Sequence, residues 1–142
     1  ISAPFVATRW LGGTISNWVE IKKRIDRLAE LLEKSATGAL AKQHTKLELV
    51  MLGREQKRLT ERLDGITTLT KRPDMLVVVD TKHEKHAVKE ANDAGIPVIA
   101  IMSSDCDLRE AAYPIVANDT SRETVGLILS DLAEAFRKGQ TA

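Results

Sequence analysis

The strongest constraint on the fold is a continuous apolar run, residues 75–79, that lies between Asp74 and Asp80. A strand with one solvated face alternates apolar and polar residues, whereas an unbroken apolar run is typical of a strand covered on both faces. Strands of that kind occur almost only in parallel sheets with helices packed against them. The run therefore predicts a parallel-sheet, layered α/β domain.

The residues that follow alternate between helix and strand patterns. We expect a helix over 84–94 that ends at Gly95, a strand over 96–101, a loop over 102–110, a strand over 113–116 and a helix over 121–138. Elements in this order are joined by right-handed crossovers between parallel strands. Residues 73–142 are thus predicted to form one α/β layer structure.

The residues before Pro73 have helical periodicity. Residues 3–7 suggest a short strand or its end, and a glycine turn follows, with Thr14 or Ser16 as the N-cap. Residues 15–34 and 43–63 predict two long helices that form an antiparallel hairpin. The side chains expected to face inward are Ile15, Trp18, Ile21 or Val19, Ile25, Leu28 and Leu32 in the first helix, and Leu47, Val50, Met51, Leu59 and Leu63 in the second.

Charge is distributed unevenly along the chain. Residues 1–72 contain 14 Lys and Arg against 8 Asp and Glu, a net charge of +6, and residues 73–142 contain 7 against 12, a net charge of −5. Uneven charge also arises in proteins without any consequence. The asymmetry nevertheless suggests that the first half faces a polyanion, while the second half is solvated or meets protein.

Nucleotide binding, the usual function of a parallel sheet, lacks its motif here. It requires a glycine-rich loop between a strand and a helix, so that free N–H groups meet phosphate. The turn after the first predicted strand holds Asp80 and no glycine. We therefore expect no dinucleotide site and no other cofactor.

The sequence contains one weak candidate for a metal site. His83 and His86 lie three residues apart near Asp80, and Cys106 follows the next strand. No second pair completes four ligands, so we interpret the histidines as solvated. The single cysteine cannot form an internal disulfide, which fits a reducing compartment. No apolar run approaches the roughly 20 residues of a membrane helix, and no basic and apolar leader predicts a secretory signal.

Nucleophilic catalysis is the other chemistry to consider. Ser103, Ser104 and Cys106 lie in the loop after a strand, where ligands of α/β proteins usually bind. No strained glycine turn frames them, and the sequence specifies no acid–base partner. We interpret Asp105 and Asp107 as polar loop residues.

Residues 9–18 combine several features of an RNA-contacting corner. Arg9 lies beside Trp10, which can stack on a base or sugar, and Gly12 and Gly13 allow the backbone to approach a nucleic acid closely. A helix N-terminus follows, with its N–H donors. Three consecutive cations come next on that helix: Lys22, Lys23 and Arg24. Each tryptophan taken alone is more typical of a core residue, and the lysines of a solvated face, but the whole cluster favours RNA.

These residues resemble the bacterial-type S-two family of small-subunit ribosomal proteins. The first matching block is Arg9-Trp10-Leu11-Gly12-Gly13 with Thr14, Asn17 and Trp18, similar to the signature at the start of the family's helical hairpin. The second block covers 73–80 and continues through Glu84, Val88, 90–92 and 95–98, and Asn118-Asp119 also fits. Where the family often has Asp-Pro, this chain has Asp107-Leu108. The resemblance extends over essentially all 142 residues.

The resemblance implies a flavodoxin-like α/β domain with a projecting antiparallel helical hairpin, a coiled coil. We expect residues 1–14 to be a strand end and RNA-contacting turn of that domain, 15–72 the hairpin, and 73–142 the remainder of the domain. Family members also have an N-terminal region with the first strands of the sheet, which is absent here, so we expect an incomplete domain with an uncovered edge. The chain opens with Ile1, which suggests a start partway through a longer product or after processing, and a separate chain could supply the missing region.

The resemblance also implies a function. Members are structural constituents of the small ribosomal subunit, not enzymes. They contact small-subunit ribosomal RNA and neighbouring ribosomal proteins near the junction of head and body, and in bacteria they help to recruit the large messenger-binding ribosomal protein. Cytosolic eukaryotic relatives lack the hairpin, so the implied location is the ribosome of a bacterium or of an organelle, a mitochondrion or plastid.

The residues that match the family's RNA-contacting motif are Arg9, Trp10, Gly12, Gly13, Thr14 and Asn17. Charge and helix position add Lys22, Lys23 and Arg24 and, more weakly, Arg54, Lys57, Arg58 and Arg62. Two other hypotheses are a protein-docking α/β module with the hairpin as its arm, and an unrecognised α/β enzyme that uses residues 103–107.

Overall fold

The computed structural model describes residues 3–38 and 45–141. This part of the chain contains four α-helices and a three-stranded parallel sheet, which confirms the α/β class and is consistent with part of a flavodoxin-like fold. It forms two compact units, one from Pro4 to Arg72 and one that contains the residues from Pro73 onward. None of the helices in the described ranges combines the length and apolar character that crossing a membrane requires.

The first unit is a pair of helices. Helix α1 spans Trp18–Ala36, helix α2 spans Lys46–Leu63, and a 3-10 turn, Asp64–Ile66, follows α2. The end of α2 and this turn pack against the first half of α1 in one apolar cluster: Ile21, Ile25, Leu28, Leu63 and Ile66. Further along, Arg27 Nε lies 3.5 Å from Glu55 Oε1. Since early residues of α1 meet late residues of α2, the two helices run antiparallel.

The two helices begin differently. At α2, the Thr45 hydroxyl accepts from the Glu48 N–H and the Glu48 carboxylate accepts from the Thr45 N–H, a capping box that fixes the start of the helix. The predicted start at 43 lies outside the described residues. Helix α1 begins at Trp18 rather than Ile15, so the N-cap prediction is wrong: Asn17 holds the N-cap position, without a side-chain hydrogen bond.

Residues 3–7 form no strand, which corrects the strand expected there. They lie instead along the end of the hairpin, where the Phe5 N–H donates to the Gly65 carbonyl at 2.8 Å and the Thr8 hydroxyl donates to the Glu61 carbonyl at 3.1 Å. A Cβ at Gly65 would lie 2.2 Å from the Phe5 carbonyl oxygen. A glycine is therefore required at this crossing of two backbones.

The inward faces of the hairpin differ in part from those expected. In α1 the buried side chains are Ile21, Ile25, Leu28 and Leu31, whereas Val19 and Leu32 are exposed. In α2 the apolar side chains that are buried or half-buried are Leu49, Leu52, Leu59 and Leu63. Leu47, Val50 and Met51 were expected inside but are exposed. Helix α2 has two apolar stripes at helical spacing, and periodicity alone does not say which one meets α1.

The second unit is the sheet with its helices. Along the chain it contains strand β1 (Leu76–Val79), helix α3 (Lys85–Asp93), strand β2 (Val98–Met102), a 3-10 turn (Leu108–Glu110), strand β3 (Tyr113–Val116) and helix α4 (Arg122–Gln140). All pairings are parallel in the order β1-β2-β3. The central strand is the most buried, with Val98, Ala100, Ile101 and Met102 fully covered.

Glycine ends α3 as predicted. Gly95 has a φ of +70°, its N–H donates to the Asn92 carbonyl at 3.0 Å, and the Ile96 N–H donates to the Ala91 carbonyl at 2.8 Å. These two bonds are those of a Schellman motif, which satisfies the last carbonyls of a helix. The motif turns the chain directly into β2.

Candidate nucleic-acid interface

The glycine corner ahead of α1 is a hydrogen-bonded turn. The Thr14 N–H donates to the Leu11 carbonyl at 3.0 Å, and the Asn17 N–H donates to the Gly13 carbonyl at 2.8 Å. Ile15 is completely buried beneath the turn, whereas Gly12 and Asn17 are exposed. The corner is thus anchored from below and presents its outer backbone at the surface.

Gly13 has a backbone conformation that side chains with a Cβ rarely adopt. Its φ is +93°, outside the regions available to most L-residues without strain. A Cβ at this position would meet Asn17 Cβ at 3.4 Å, which is ordinary contact. The need for glycine therefore comes from the backbone angle and not from crowding.

Thr14 does not present its side chain as predicted. The residue is buried, and its hydroxyl donates to the Leu11 carbonyl at 2.6 Å. Because the hydroxyl is used inside the turn, we remove Thr14 from the set of proposed RNA contacts. Its role is to hold the corner in shape.

The two tryptophans of the motif are half-buried. Trp18 packs against the apolar cluster of the hairpin. The indole nitrogen of Trp10 is buried and, among the described residues, has no hydrogen-bond partner. Both observations favour core packing for much of each ring, and stacking of Trp10 on RNA stays a prediction.

Of the predicted cations, Arg9, Lys22 and Arg24 are exposed and have no carboxylate within 4.0 Å in the described part of the chain. Lys23 differs, because its ammonium lies 2.6 Å from Glu20 Oε1 and holds the pKa of that carboxyl below its usual value. Among the four cations predicted at the corner, Arg9, Lys22 and Arg24 are thus the most available to a polyanion.

The three consecutive cations of α1 do not share one face. Successive side chains of an α-helix are turned by about 100°, so Lys22 and Arg24 point to opposite flanks. Arg24 follows Asn17 by seven residues and lies on its side of the helix, whereas Lys22 follows Trp18 by four. Helix periodicity therefore places Arg24, more than Lys22, on the Asn17 side of the corner.

The charge asymmetry of the sequence coincides with the two compact units. All the charged residues counted in the first half lie between Pro4 and Arg72, so this unit has a net charge of +6, while the residues from Pro73 onward have −5. A surface with an excess of positive charge attracts a polyanion over distances of about a Debye length. Contact with nucleic acid is therefore expected on the helical unit.

The loop after β2 is the alternative candidate for a catalytic site. Its polar side chains contact one another and Lys82. Lys82 Nζ lies 2.7 Å from Asp105 Oδ2, the Ser103 hydroxyl donates to Asp105, and Cys106 Sγ lies 3.7 Å from the same carboxylate. The hydrogen bonds from Lys82 and Ser103 hold the pKa of Asp105 far below its usual value. An ionised carboxylate in an ion pair is a poor base, so this arrangement does not activate Ser103 or Cys106.

The histidines beside this loop are exposed, and His83 Nδ1 contacts the Asp80 carboxylate. Over residues 3–38 and 45–141, no three His, Cys, Asp or Glu side chains are grouped so that they could hold a metal ion.

Taken together, the fold and this surface define a class of protein: an α/β protein with a strongly basic helical hairpin that begins at a glycine corner. The comparison with known families identifies the particular one. The model of the family described as ribosomal protein S2 matches residues 1–139, and the chain belongs to that family.

Individual relatives agree with this assignment. The small ribosomal subunit protein uS2 of Kocuria rhizophila is 42% identical over 139 residues, which are 98% of this chain and 49% of the relative. The protein of the same name from Synechococcus elongatus is 43% identical over 132 residues, 93% of this chain and 52% of the relative. The uS2c protein of Rhodomonas salina is 41% identical over 137 residues, 96% and 56% of the two chains. The chain spans about half the length of the curated relatives that it matches.

Proposed function

We propose that this chain is a structural constituent of the small ribosomal subunit, that it binds small-subunit ribosomal RNA and neighbouring ribosomal proteins, and that it has no catalytic role. The observation that carries this proposal is the family match, which covers residues 1–139. The relatives are named as small ribosomal subunit proteins, and they come from bacteria and from Rhodomonas salina. The corresponding location is the ribosome of a bacterium or of an organelle.

We place the RNA contact at the glycine corner and its cations. The proposed contacts are the outer backbone at Gly12 and Gly13, the side chain of Asn17, and the exposed cations Arg9 and Arg24, with Lys22 on the other flank of α1. Backbone amides and cations of this kind position a protein on the phosphates of a folded RNA without reading its sequence. Trp10 is a stacking candidate, and Lys23 is a weaker contact because of its ion pair with Glu20.

Salt dependence tests this contact. Changing Arg9, Lys22 and Arg24 together to glutamine should weaken binding to a transcript of small-subunit ribosomal RNA and flatten the plot of log affinity against log salt. The slope should fall by about 0.7 to 0.9 for each phosphate that the variant no longer neutralises, because neutralising a phosphate releases counterions. The measurement is a filter-binding or fluorescence titration at four or more salt concentrations.

A matched variant controls for net charge. Lys85, Lys89 and Arg122 are exposed cations of the other unit, and their change to glutamine removes the same charge. This control should keep the slope of the unaltered chain. If both triple variants flatten the slope equally, the effect is one of net charge, and the assignment of the contact to the corner is wrong.

We further propose that neighbouring polypeptide extends the sheet at β1. Both β1 and β3 are edges of the three-stranded sheet. Strand β3 contains Pro114, which has no N–H to donate, and proline within a sheet is typical of edge strands. Strand β1 consists of four apolar residues and has Val77 exposed, as expected of a strand that is covered in the complete protein. We propose that the pairing strands belong to the part of the relatives' length that this chain does not match, supplied by the same product or by a separate chain.

Hydrogen exchange tests this extension. The region of the Kocuria rhizophila relative that this chain does not match would be co-expressed with the 142-residue chain. The hydrogen-exchange rates of the β1 amides should fall by about tenfold or more, because their outward N–H groups gain strand partners. Amides of β3 should change little. Protection of β3 rather than β1, or of neither strand, would contradict the proposed edge.

A further inference from the structure

The outer face of α2, which points away from α1, begins with three exposed aliphatic side chains. Leu47, Val50 and Met51 are 71%, 52% and 63% exposed. They lie at positions i, i+3 and i+4, so they form one continuous patch on the helix. Side chains of this type exposed singly are common, but a contiguous patch is typical of an interaction site.

The same face continues as a basic stripe. Arg54 and Arg58 follow Leu47 by seven and eleven residues and therefore lie on its side of the helix. Both are exposed, and no described carboxylate lies within 4.0 Å of either guanidinium. An open groove of about 640 Å³ runs along the flank of this face and is lined by Met51, Leu52, Arg54 and Arg58, with Glu48 and Glu55.

The aliphatic patch does not contribute to the packing of α2 against α1, because other side chains of α2 make those contacts. Leu59 and Leu63 already pack against the α1 side chains. Glu48 and Glu55 are likewise used, the first in the capping box and the second with Arg27. Within the described residues, the outer face thus has an apolar half and a basic half that the fold itself leaves uncovered.

We propose that the outer face of α2 is a docking surface for a protein segment, an amphipathic helix with aliphatic side chains on one face and carboxylates beside them. Such a helix covers Leu47, Val50 and Met51 and pairs its carboxylates with Arg54 and Arg58. RNA fits less well, because phosphates and sugars would cover the arginines and leave the aliphatic patch in water. A second copy of this face offers no carboxylate row opposite the arginines. The proposal does not rest on the RNA contact at the glycine corner.

A designed peptide tests the surface on the full 142-residue chain. The probe is a fluorescent helical peptide with leucine along one face and glutamate on both sides of it, and its partner probe has lysine in place of each glutamate. Leu47→Ser with Met51→Ser, and separately Arg54→Gln with Arg58→Gln, should each weaken binding of the acidic peptide by about tenfold or more. Val19→Ser, which alters an exposed aliphatic residue of α1, should leave the affinity unchanged.

The outcomes separate the possible occupants. Tight binding of the acidic peptide, weakened by about tenfold or more in both double variants, supports the proposal. Small-subunit RNA should bind the Leu47→Ser, Met51→Ser variant as it binds the unaltered chain. Equal binding of the lysine peptide, or no binding of the acidic one, overturns it. Weaker RNA binding by the serine variant would instead assign the face to RNA. Self-association abolished by that variant would assign it to a second copy.

Discussion

Leu31→Ala is expected to lower the free energy of unfolding of the helical unit by about 2–5 kcal/mol, whereas Leu32→Ala should cost about 1 kcal/mol or less. The two residues are adjacent leucines in α1, yet Leu31 is 1% exposed and Leu32 is 44% exposed. Truncation of the buried Leu31 leaves a cavity, whereas truncation of Leu32 removes a side chain that is already partly in water.

Urea unfolding followed by the helical circular dichroism signal measures this difference. The urea midpoint should fall strongly for Leu31→Ala and little for Leu32→Ala, with the same dependence on denaturant in both variants. Equal midpoints, or a larger drop for Leu32→Ala, would contradict the burial of Leu31. The pair is matched, since both variants make the same chemical change one residue apart.

The sequence alone did not determine which of these two leucines of α1 is buried. An ideal helix drifts by about 20° per seven residues relative to a coiled-coil repeat, so the choice between Leu31 and Leu32 depends on where α2 lies. The same holds within α2, where the stripe of Leu49 and Leu52 and the stripe of Leu47, Val50 and Met51 both have helical spacing. Only the partner helix decides which stripe is inside.

The sheet was predictable because its signals are local. The apolar run before Asp80 requires a covered strand, and β3 has the predicted bounds, Tyr113–Val116. Gly95 ends α3 because a left-handed residue is needed there, and glycine adopts that conformation at little cost. The uncovered edge was expected from the resemblance alone, because family members have an N-terminal region with the first strands of the sheet, and β1 lies at an edge of the three described strands.

The candidate site was predictable in part. Its residues are contiguous in sequence, so the motif was found, but the direction of each side chain was not. A threonine hydroxyl near a helix start can cap the helix or bond backwards, and Thr14 does the latter. Lys22 and Arg24 are neighbours in the sequence, yet the helix turns them to opposite flanks. The glycine turn expected from the paired glycines is present, with a positive φ at Gly13.

Gly13→Val should weaken binding to small-subunit RNA by about tenfold or more, while Gly13→Asn should be milder and Cys106→Ala should have no effect. At a φ of +93°, a β-branched residue costs about 1–3 kcal/mol and would distort the turn. Asparagine tolerates positive φ better than valine does. Valine also adds bulk where we propose that the backbone approaches RNA.

The measurement combines RNA titration with circular dichroism, so that weaker binding is separated from unfolding. Cys106 lies in the loop after β2, outside the proposed contact, and is therefore a control for handling and expression. The expected pattern is a folded valine variant with weak RNA binding and an asparagine variant between it and the unaltered chain. If the valine variant is folded and binds RNA with unaltered affinity, close approach of the main chain at Gly13 is not part of the contact. The proposed interface would then consist of the side chains of Arg9, Asn17 and Arg24 without the main chain at Gly13.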